Sequence, residues 1–316
     1  MEFDPAHCEI RTPTGEALLP LYRMLMEVFP ADRGLFSQAI ERNKRLYTWT
    51  PYTLYRDDEP LGNVSLVPMQ TWLDGRPVDT LGVASVATPV AYRGRGIAGR
   101  LLRHCLDVAD CRKLPAVLFT SLPDMYRPLG FEAIRQSYHA LPAKRLDFGP
   151  GRFDFNMLDT LDDRSLLQIS RLYTDEYPNY DGKIVRDADY WQFYRMLVDP
   201  YPKVRMLFCL EAGQIVGYAR LELEADRLLV SELCRADTAL DAAESLLTEA
   251  GRFARRSGLD TVALALAPAH FIWPSLQSGL SPEPANVARE TFMVRPAPGQ
   301  PLGPLAQLQW PLADKF

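Results

Sequence analysis

The segment Val86–Arg103, VATPVAYRGRGIAGRLLR, constrains the fold more than any other part of the chain. A strand of small and β-branched residues over 80–88 leads into a turn rich in glycine and arginine, and a helix follows directly. Apolar residues at helical spacing predict one buried face of that helix. They are Ile97, Leu101, Leu102, Cys105, Leu106 and Ala109. A strand, a glycine turn and a helix in this order indicate an α/β unit whose turn holds a ligand.

The turn has the properties of a site for an anion. Its glycines, Gly94, Gly96 and Gly99, allow the backbone to approach a ligand closely. The first turn of the helix has unpaired N–H groups and the positive end of the helix dipole, and both favour a negative charge. Arginines add positive charge at positions 93, 95, 100 and 103. A pyrophosphate suits this turn; the alternative is an ordinary strand-to-helix connection with a solvated arginine face.

Two common phosphate-binding motifs do not account for the turn. The chain has no GxxxxGK[ST] sequence, which argues against a P-loop. RGRGIAG also differs from the GxGxxG of a first strand-to-helix turn, so a dinucleotide-binding fold has little support.

Two motifs together resemble the GNAT superfamily of N-acetyltransferases. The run RGRGIA over 93–98 matches the signature [QR]-x-x-G-x-[GA], and YRPLGF over 126–131 resembles a second motif, Y-x-x-x-G-F. One helix and one strand separate the motifs, as in the family, and the resemblance covers residues 50–140. The subgroup that the chain resembles is the enhanced-intracellular-survival type, which joins two acetyltransferase-like domains in one chain.

The resemblance implies that acetyl-CoA is the cosubstrate and lies in a cleft where two neighbouring strands splay apart. Main-chain groups of Val86, Ala87 and Thr88 would pair with the pantetheine arm. Ser121 and Leu122 would border the thioester. The residues assigned to the pyrophosphate cradle are Arg93, Gly94, Arg95, Gly96, Ile97, Ala98 and Gly99.

The resemblance also implies that Tyr126 protonates the departing CoA thiolate after an amine has attacked the thioester. The chemistry of the side chain agrees, because a phenol with a pKa of about 10 stays protonated at neutral pH and can donate a proton. The alternative is a packing tyrosine whose hydroxyl faces solvent. A main-chain N–H near the break in the strand would stabilise the oxyanion.

The sequence leaves the identity of the general base open. Many family members carry a glutamate on the strand before the cradle, but LGVASVAT over 81–88 contains no carboxylate, and Asp79 lies at the start of that strand. In the resembling subgroup the carboxylate of a C-terminal phenylalanine serves as base, and this chain ends in Phe316. A short tail replaces the subgroup's third, sterol-carrier-like domain. The candidates are therefore the Phe316 carboxylate, a carboxylate of the second domain, or a water chain.

An internal repeat indicates two copies of one fold. Adding 155 places Gly62 on Gly217, and adding 145 places Leu101-Leu102 on Leu246-Leu247, although coincidence between two α/β domains is the alternative. We therefore predict an α/β (α+β) chain of two tandem GNAT-like domains, each a mixed, mostly antiparallel sheet flanked by helices. Residues 1–148 form the catalytic domain, closed by a strand near 131–141; residues 152–296 form a degenerate domain, and 297–316 a tail.

The second copy has lost the chemical features of the first. The offset of 145 places the cradle on Thr238–Asp241, where the glycines are missing and an acidic side chain replaces the anion. The same offset places Tyr126 on Phe271, which has no transferable proton. The second domain is therefore expected to bind no CoA, to brace the first domain and to wall the acceptor site.

The composition of the chain limits the classes of partner that we expect it to bind. The net charge is −5, with 35 basic and 40 acidic residues, which argues against a nucleic-acid binder. The five cysteines and four histidines form no metal-binding spacing. No apolar run is long enough to cross a membrane and the N-terminus has no signal sequence, so we expect a cytoplasmic protein. Homo-oligomers are compatible with the resemblance.

The sequence is compatible with three functions. The first is an acetyl-CoA-dependent N-acetyltransferase that acts on a small-molecule amine, such as an amino acid, a polyamine or an aminoglycoside-like compound. The second is transfer of a longer acyl group, or transfer to a hydroxyl, since the cradle recognises CoA and not the acyl chain. The third is a non-catalytic CoA-binding sensor or scaffold.

Overall fold

The computed structural model describes residues 8–41, 49–136, 138–149, 151–176, 180–198, 203–280, 282–285, 290–303 and 305. The strands of these parts are β1 (Cys8–Arg11), β2 (Thr50–Arg56), β3 (Glu59–Leu73), β4 (Arg76–Ala87), β5 (Ala116–Thr120), β6 (Glu132–Ile134), β7 (Tyr138–Pro142), β8 (Asp154–Leu158), β9 (Val204–Glu211), β10 (Gln214–Leu223), β11 (Leu228–Arg235), β12 (Thr261–Leu264), β13 (Glu283–Ala285) and β14 (Thr291–Arg295). The helices are α1 (Leu18–Val28), α2 (Arg33–Glu41), α3 (Ile97–Arg112), α4 (Pro123–Tyr126), α5 (Asp163–Glu176), α6 (Ala188–Val198), α7 (Ala242–Arg256) and α8 (Trp273–Gly279).

The strands form two sheets of seven strands each within the described residues. The first has the order β1-β2-β3-β4-β5-β14-β6, and the second has the order β13-β7-β12-β11-β10-β9-β8. Each sheet contains one parallel pair, β4 with β5 and β11 with β12, among antiparallel neighbours. The predicted fold class, two mixed and mostly antiparallel sheets flanked by helices, is confirmed.

A cleft opens in the first sheet where β4 and β5 separate. The two strands are in register only at Leu81 with Ala116 and at Gly82 with Val117. Beyond these pairs β4 continues to Ala87, while β5 continues along β14 as far as Thr120. The strands therefore diverge toward the cradle, as the sequence predicts.

The two sheets exchange a strand. The sequence predicts one closing strand near 131–141, but the structure has two there, and β6 joins the first sheet while β7 joins the second. β14, from the C-terminal part of the chain, takes the place between β5 and β6. The prediction of one strand was wrong because β6 ends at Ile134 and pairs with β14, whereas β7 begins at Tyr138 and pairs with β12 and β13. Each sheet is therefore completed by the other half of the chain.

The glycines that mark the predicted repeat have the same structural role. A Cβ on Gly62 of β3 would lie 2.6 Å from Ile97 Cγ2, at the start of α3. A Cβ on Gly217 of β10 would lie 3.3 Å from Ala242 Cβ, at the start of α7. Both contacts are too close for a larger residue, so each glycine lets a helix begin directly on its sheet.

A backbone ladder and a shared core join the two halves. The Trp72 N–H donates to the Lys183 carbonyl (2.8 Å), and the Trp72 carbonyl accepts from the Gly182 N–H (2.9 Å). The rings of Trp49, just before β2, and Phe193 of α6 lie 6.1 Å apart within one buried apolar cluster. Residues of both halves therefore form the walls around the cleft.

Candidate active site

The predicted cradle is open and lies in front of a helix. α3 begins at Ile97, and its N-cap residue Gly96 has a left-handed backbone with φ of 75° and gives no side-chain cap. Gly94 has φ of 76°, and a Cβ on either glycine would meet no atom within 4 Å. The first-turn N–H groups of this 16-residue helix therefore face free space, which suits a phosphate group.

The cradle arginines contact neighbouring groups of the protein. Arg93 Nε donates to the Thr88 carbonyl (3.2 Å), and Arg100 Nη2 donates to the Cys8 carbonyl (3.2 Å). The Arg95 guanidinium lies 5.7 Å from the centre of the Tyr92 ring. Arg93 and Arg95 are exposed beside the glycines, whereas the Ile97 side chain is buried and anchors the helix to the sheet.

A bulge in β4 shapes the cleft behind the cradle. Ser85 has φ of 47°, and the pairing of β3 with β4 shifts there. The fully buried Asn63 holds the bulge: its Nδ2 donates to the Ser85 carbonyl (3.0 Å), and its Oδ1 accepts from Thr53 Oγ1 (2.9 Å). The bulge takes part of β4 out of its ladder, and such sites often carry function.

The predicted pantetheine contacts lie along this stretch. Val86 is half-buried, while Ala87 is buried and still pairs with Asn63 of β3. Thr88 Oγ1 is buried and has no hydrogen-bond partner among the described residues. A buried hydroxyl without a partner is rare in proteins, so an external ligand can use this one.

A cavity of about 450 Å³ lies where β4 and β5 diverge. It brings together Val86, Ser121, Leu122 and Tyr126 of the predicted site, whereas the cradle residues lie outside its lining. The other residues of the first half that line it are Phe29, Asp32, Leu35, Phe36, Trp49, Val83, Ala84, Ser85, Phe119 and Thr120. The residues that follow 150 are Phe193, Leu197, Val204, Arg220, Glu222 and Glu290.

Tyr126 is buried at the end of α4. Burial raises its pKa to about 12, with a further rise from the charge of Glu290 and an opposing effect of a hydrogen bond with Thr120. The ring packs edge-on against Phe131 at 5.9 Å between centres. The phenol therefore keeps its proton at physiological pH and can act only as a donor to a group that becomes negative.

The cavity contains acidic side chains that the sequence analysis did not identify. Glu222 and Glu290 line it together with Asp32 and one basic residue, Arg220, whose Nη1 lies 2.6 Å from Glu222 Oε1. Asp79 is not part of the lining and accepts a hydrogen bond from Gln70 Nε2 (2.8 Å). The only sequence signal for Glu290 is its place directly before the alternating run TFMVR of β14.

At the corresponding place in the second sheet, buried side chains contact the main chain and one another. The offset of 145 places Leu233 at the position of Thr88, and the Leu233 carbonyl is hydrogen-bonded to His270 Nε2 (3.0 Å). The Tyr180 ring stacks on His270 at 5.4 Å between centres, and its hydroxyl donates to Glu176 Oε1 (2.9 Å). Burial lowers the pKa of His270 to about 3, so the ring is neutral.

The residue predicted to replace a pyrophosphate in the second half also has a protein partner. Asp241 precedes α7 without capping it through its side chain, and its Oδ2 lies 3.3 Å from Arg152 Nε. The same arginine contacts Glu211 at 2.6 Å. An arginine, and not the helix end, therefore compensates the charge of Asp241.

The described residues contain no group of three or more His, Cys, Asp or Glu side chains placed to hold a metal ion. Among them there is also no helix with the length and apolar character that crossing a membrane requires.

Residues 9–134 match the family model described as "Acetyltransferase (GNAT) domain". This segment is therefore similar to acetyltransferase domains of the GNAT family, a class of acyltransferases. No curated protein sequence matches the chain.

Solved structures extend the likeness to the whole chain. A GCN5-related N-acetyltransferase from Kribbella flavida aligns with a TM-score of 0.64 at 20% identity, over 93% of this chain and 72% of that one. Eis1 from Mycobacterium abscessus aligns with 0.61 at 15% identity, over 92% and 73%. A tandem GNAT protein from the clavulanic acid biosynthesis pathway aligns with 0.51 at 14% identity, over 93% and 100%. At these identities the likeness shows the fold, and it confirms the predicted tandem arrangement.

Proposed function

We propose that the protein transfers an acetyl group from acetyl-CoA to a primary amine of a small molecule, by direct attack of the amine on the thioester. The observation that carries this proposal is the position of Tyr126. Its protonated phenol lines the cavity where β4 and β5 diverge, behind the open cradle and among acidic side chains.

The cradle and the β4 bulge suit two parts of CoA, the pyrophosphate and the pantetheine arm. In our proposal the backbone N–H groups of Gly94–Gly99 hold the pyrophosphate, with charge from Arg93 and Arg95. Main-chain groups of 86–88 pair with pantetheine, and the buried Thr88 hydroxyl supplies a hydrogen bond. Ser121 and Leu122 border the thioester, since both line the cavity at the end of β5.

The cavity suits an amine that carries an apolar group. Its carboxylates outnumber its one arginine, so a cation is favoured over an anion. Aromatic walls are provided by Trp49, Phe36 and Phe193, which accept apolar groups and can stabilise a cation through their ring faces.

The proposed chemistry uses Tyr126 as the acid. As the carbon–sulfur bond breaks, negative charge grows on the sulfur, and the phenol donates its proton there. A main-chain N–H at the Ser85 bulge stabilises the oxyanion, because a fixed donor in a dry site favours developing charge. The second sheet contributes walls of the acceptor site and binds no CoA of its own.

The test is release of free thiol from acetyl-CoA in the presence of tryptamine, phenethylamine, spermidine, lysine or kanamycin. We expect amine-dependent thiol release, fastest with amines that carry an apolar group. Faster release from butyryl-CoA than from acetyl-CoA would favour the longer-acyl alternative. Tight acetyl-CoA binding without thiol release from any of these amines would favour a sensor.

A further inference from the structure

Glu290 reaches the open end of the cleft although it is far from it in sequence. Thr291, the first residue of β14, is paired with Thr120 of β5 in an antiparallel ladder. In such a ladder the residue before Thr291 lies beside the residue after Thr120, which is Ser121. Glu290 and Ser121 line the same cavity, in agreement with this register.

Among the described residues, five charged or titratable groups line that cavity. They are Asp32, Tyr126, Arg220 and Glu222, besides Glu290 itself. Glu222 is paired with Arg220 at 2.6 Å, so its charge is already compensated. Asp32 lies in the turn before α2. Glu290 is the carboxylate whose charge acts on Tyr126, the proposed acid.

We propose that Glu290 is the general base of the transfer and takes its proton from the acceptor amine. This inference rests on the proposed function. Glu290 takes the place of the glutamate base that β4 lacks. The acceptor reacts as the neutral amine, after its ammonium form has released one proton to solvent. As the amine nitrogen bonds to the thioester carbon, Glu290 accepts one further proton from that nitrogen. The carbon–sulfur bond then breaks, and the sulfur takes the proton of Tyr126. The products are an N-acetylated amine and free CoA thiol.

The position of the two groups also explains how the cycle closes. While Glu290 is charged, it raises the pKa of Tyr126 and helps the phenol to keep its proton. Once Glu290 has accepted the amine proton, this effect is lost, which favours proton donation by Tyr126 to the sulfur. After product formation Glu290 holds one extra proton and Tyr126 lacks one, so a transfer between them restores both.

The test compares Glu290→Gln with Glu132→Gln, a matched control in which an exposed carboxylate on neighbouring β6 is neutralised. We measure kcat/KM for the best amine of the panel, with acetyl-CoA, as a function of pH. Glu290→Gln should lower kcat by about 10²-fold or more, keep the KM for acetyl-CoA, and lose the fall of the wild-type rate at low pH. Glu132→Gln should behave as the wild type does.

A second variant distinguishes a base from a structural residue. Glu290→Ala should be inactive alone and regain activity when formate is added, because a free carboxylate can occupy the vacated space. Amine-dependent turnover in the wild type that Glu290→Gln leaves unchanged would overturn the assignment of Glu290 only. Reduced turnover with no rescue by formate and an unaltered pH profile would also overturn it. No turnover by the wild type with any amine would overturn the proposed function, and this inference with it.

Discussion

Thr291 and Thr120 face each other across β14 and β5, so a strand from the C-terminal part of the chain completes the first sheet. A side-chain anchor secures the same strand to the cradle helix. Arg295 Nη1 and Nη2 lie 2.6 and 2.8 Å from the two carboxylate oxygens of Asp110 in α3. The first sheet and its cleft are therefore built by residues from both halves of the chain.

Removing this anchor should weaken the whole protein. Arg295 Nε also donates to the Leu129 carbonyl at 3.0 Å. Arg295→Met therefore removes the hydrogen-bond donor of both Asp110 and Leu129. Because the pair is bidentate and half-buried, we expect a loss of about 1–3 kcal/mol in the free energy of unfolding, measured by urea denaturation. The control is Arg127→Met, which breaks an exposed pair with Asp124 and should cost about 1 kcal/mol at most. Equal losses in both variants would contradict the role of the anchor.

A bulky acid in the cradle should abolish cosubstrate binding. Gly96→Glu places a negative side chain in the free space before α3 and should weaken acetyl-CoA binding by about 10²-fold, measured by calorimetry. Gly75→Glu is the matched control, since Gly75 also has a positive φ, of 69°, and open space around its Cβ. It carries similar backbone strain in a hairpin away from the cleft and should keep the affinity. Similar losses in both would point to general destabilisation.

Loss of the phenol should affect turnover and not binding. We expect Tyr126→Phe to lower kcat by about 10²-fold or more, because the sulfur then leaves without a proton donor. The dissociation constant of acetyl-CoA should stay unchanged, as the ring and its contact with Phe131 remain. Tyr52→Phe, on β2 beside His104, serves as control. Full turnover by Tyr126→Phe would refute the assignment of the acid.

His270 should make stability depend on pH. Its pKa is about 3 in the folded protein against 6.5 in the unfolded chain, so only the unfolded chain takes up this proton between these values. Stability is therefore fully present above pH 6.5 and is lost as the pH falls. At 1.36 kcal/mol per pH unit, the loss from His270 between pH 6.5 and 5 is about 2 kcal/mol. Urea denaturation of His270→Gln should show a smaller slope with pH; an unchanged slope would contradict this account.

The sequence predicted the glycine turn and the start of α3 because their determinants are local. Glycine conformation, an uncapped helix start and the spacing of Ile97 and Leu101 follow from neighbouring residues, and the structure places them as expected. The repeat was also visible in the sequence. Gly62 and Gly217 occupy matching positions, and at each of them a helix starts too close to the strand for a larger side chain.

The strand exchange could not be predicted in the same way. β7 and β14 are both five residues long, apolar and antiparallel to their neighbours, so either could close either sheet. Their pairing is decided by contacts distant in sequence. For the same reason the sequence did not identify Glu290 as a site residue, because Glu290 reaches the cavity only through the pairing of β14 with β5.

Calorimetric titration of the protein with acetyl-CoA tests whether the cradle before α3 binds the cosubstrate and the second sheet does not. We expect one molecule bound per chain, and loss of that binding in Gly96→Glu, because in the second sheet His270 is hydrogen-bonded to the Leu233 carbonyl and stacks on Tyr180. Two molecules per chain would contradict the description of the second sheet. Absence of binding, or binding that Gly96→Glu leaves intact, would contradict the assignment of the cradle.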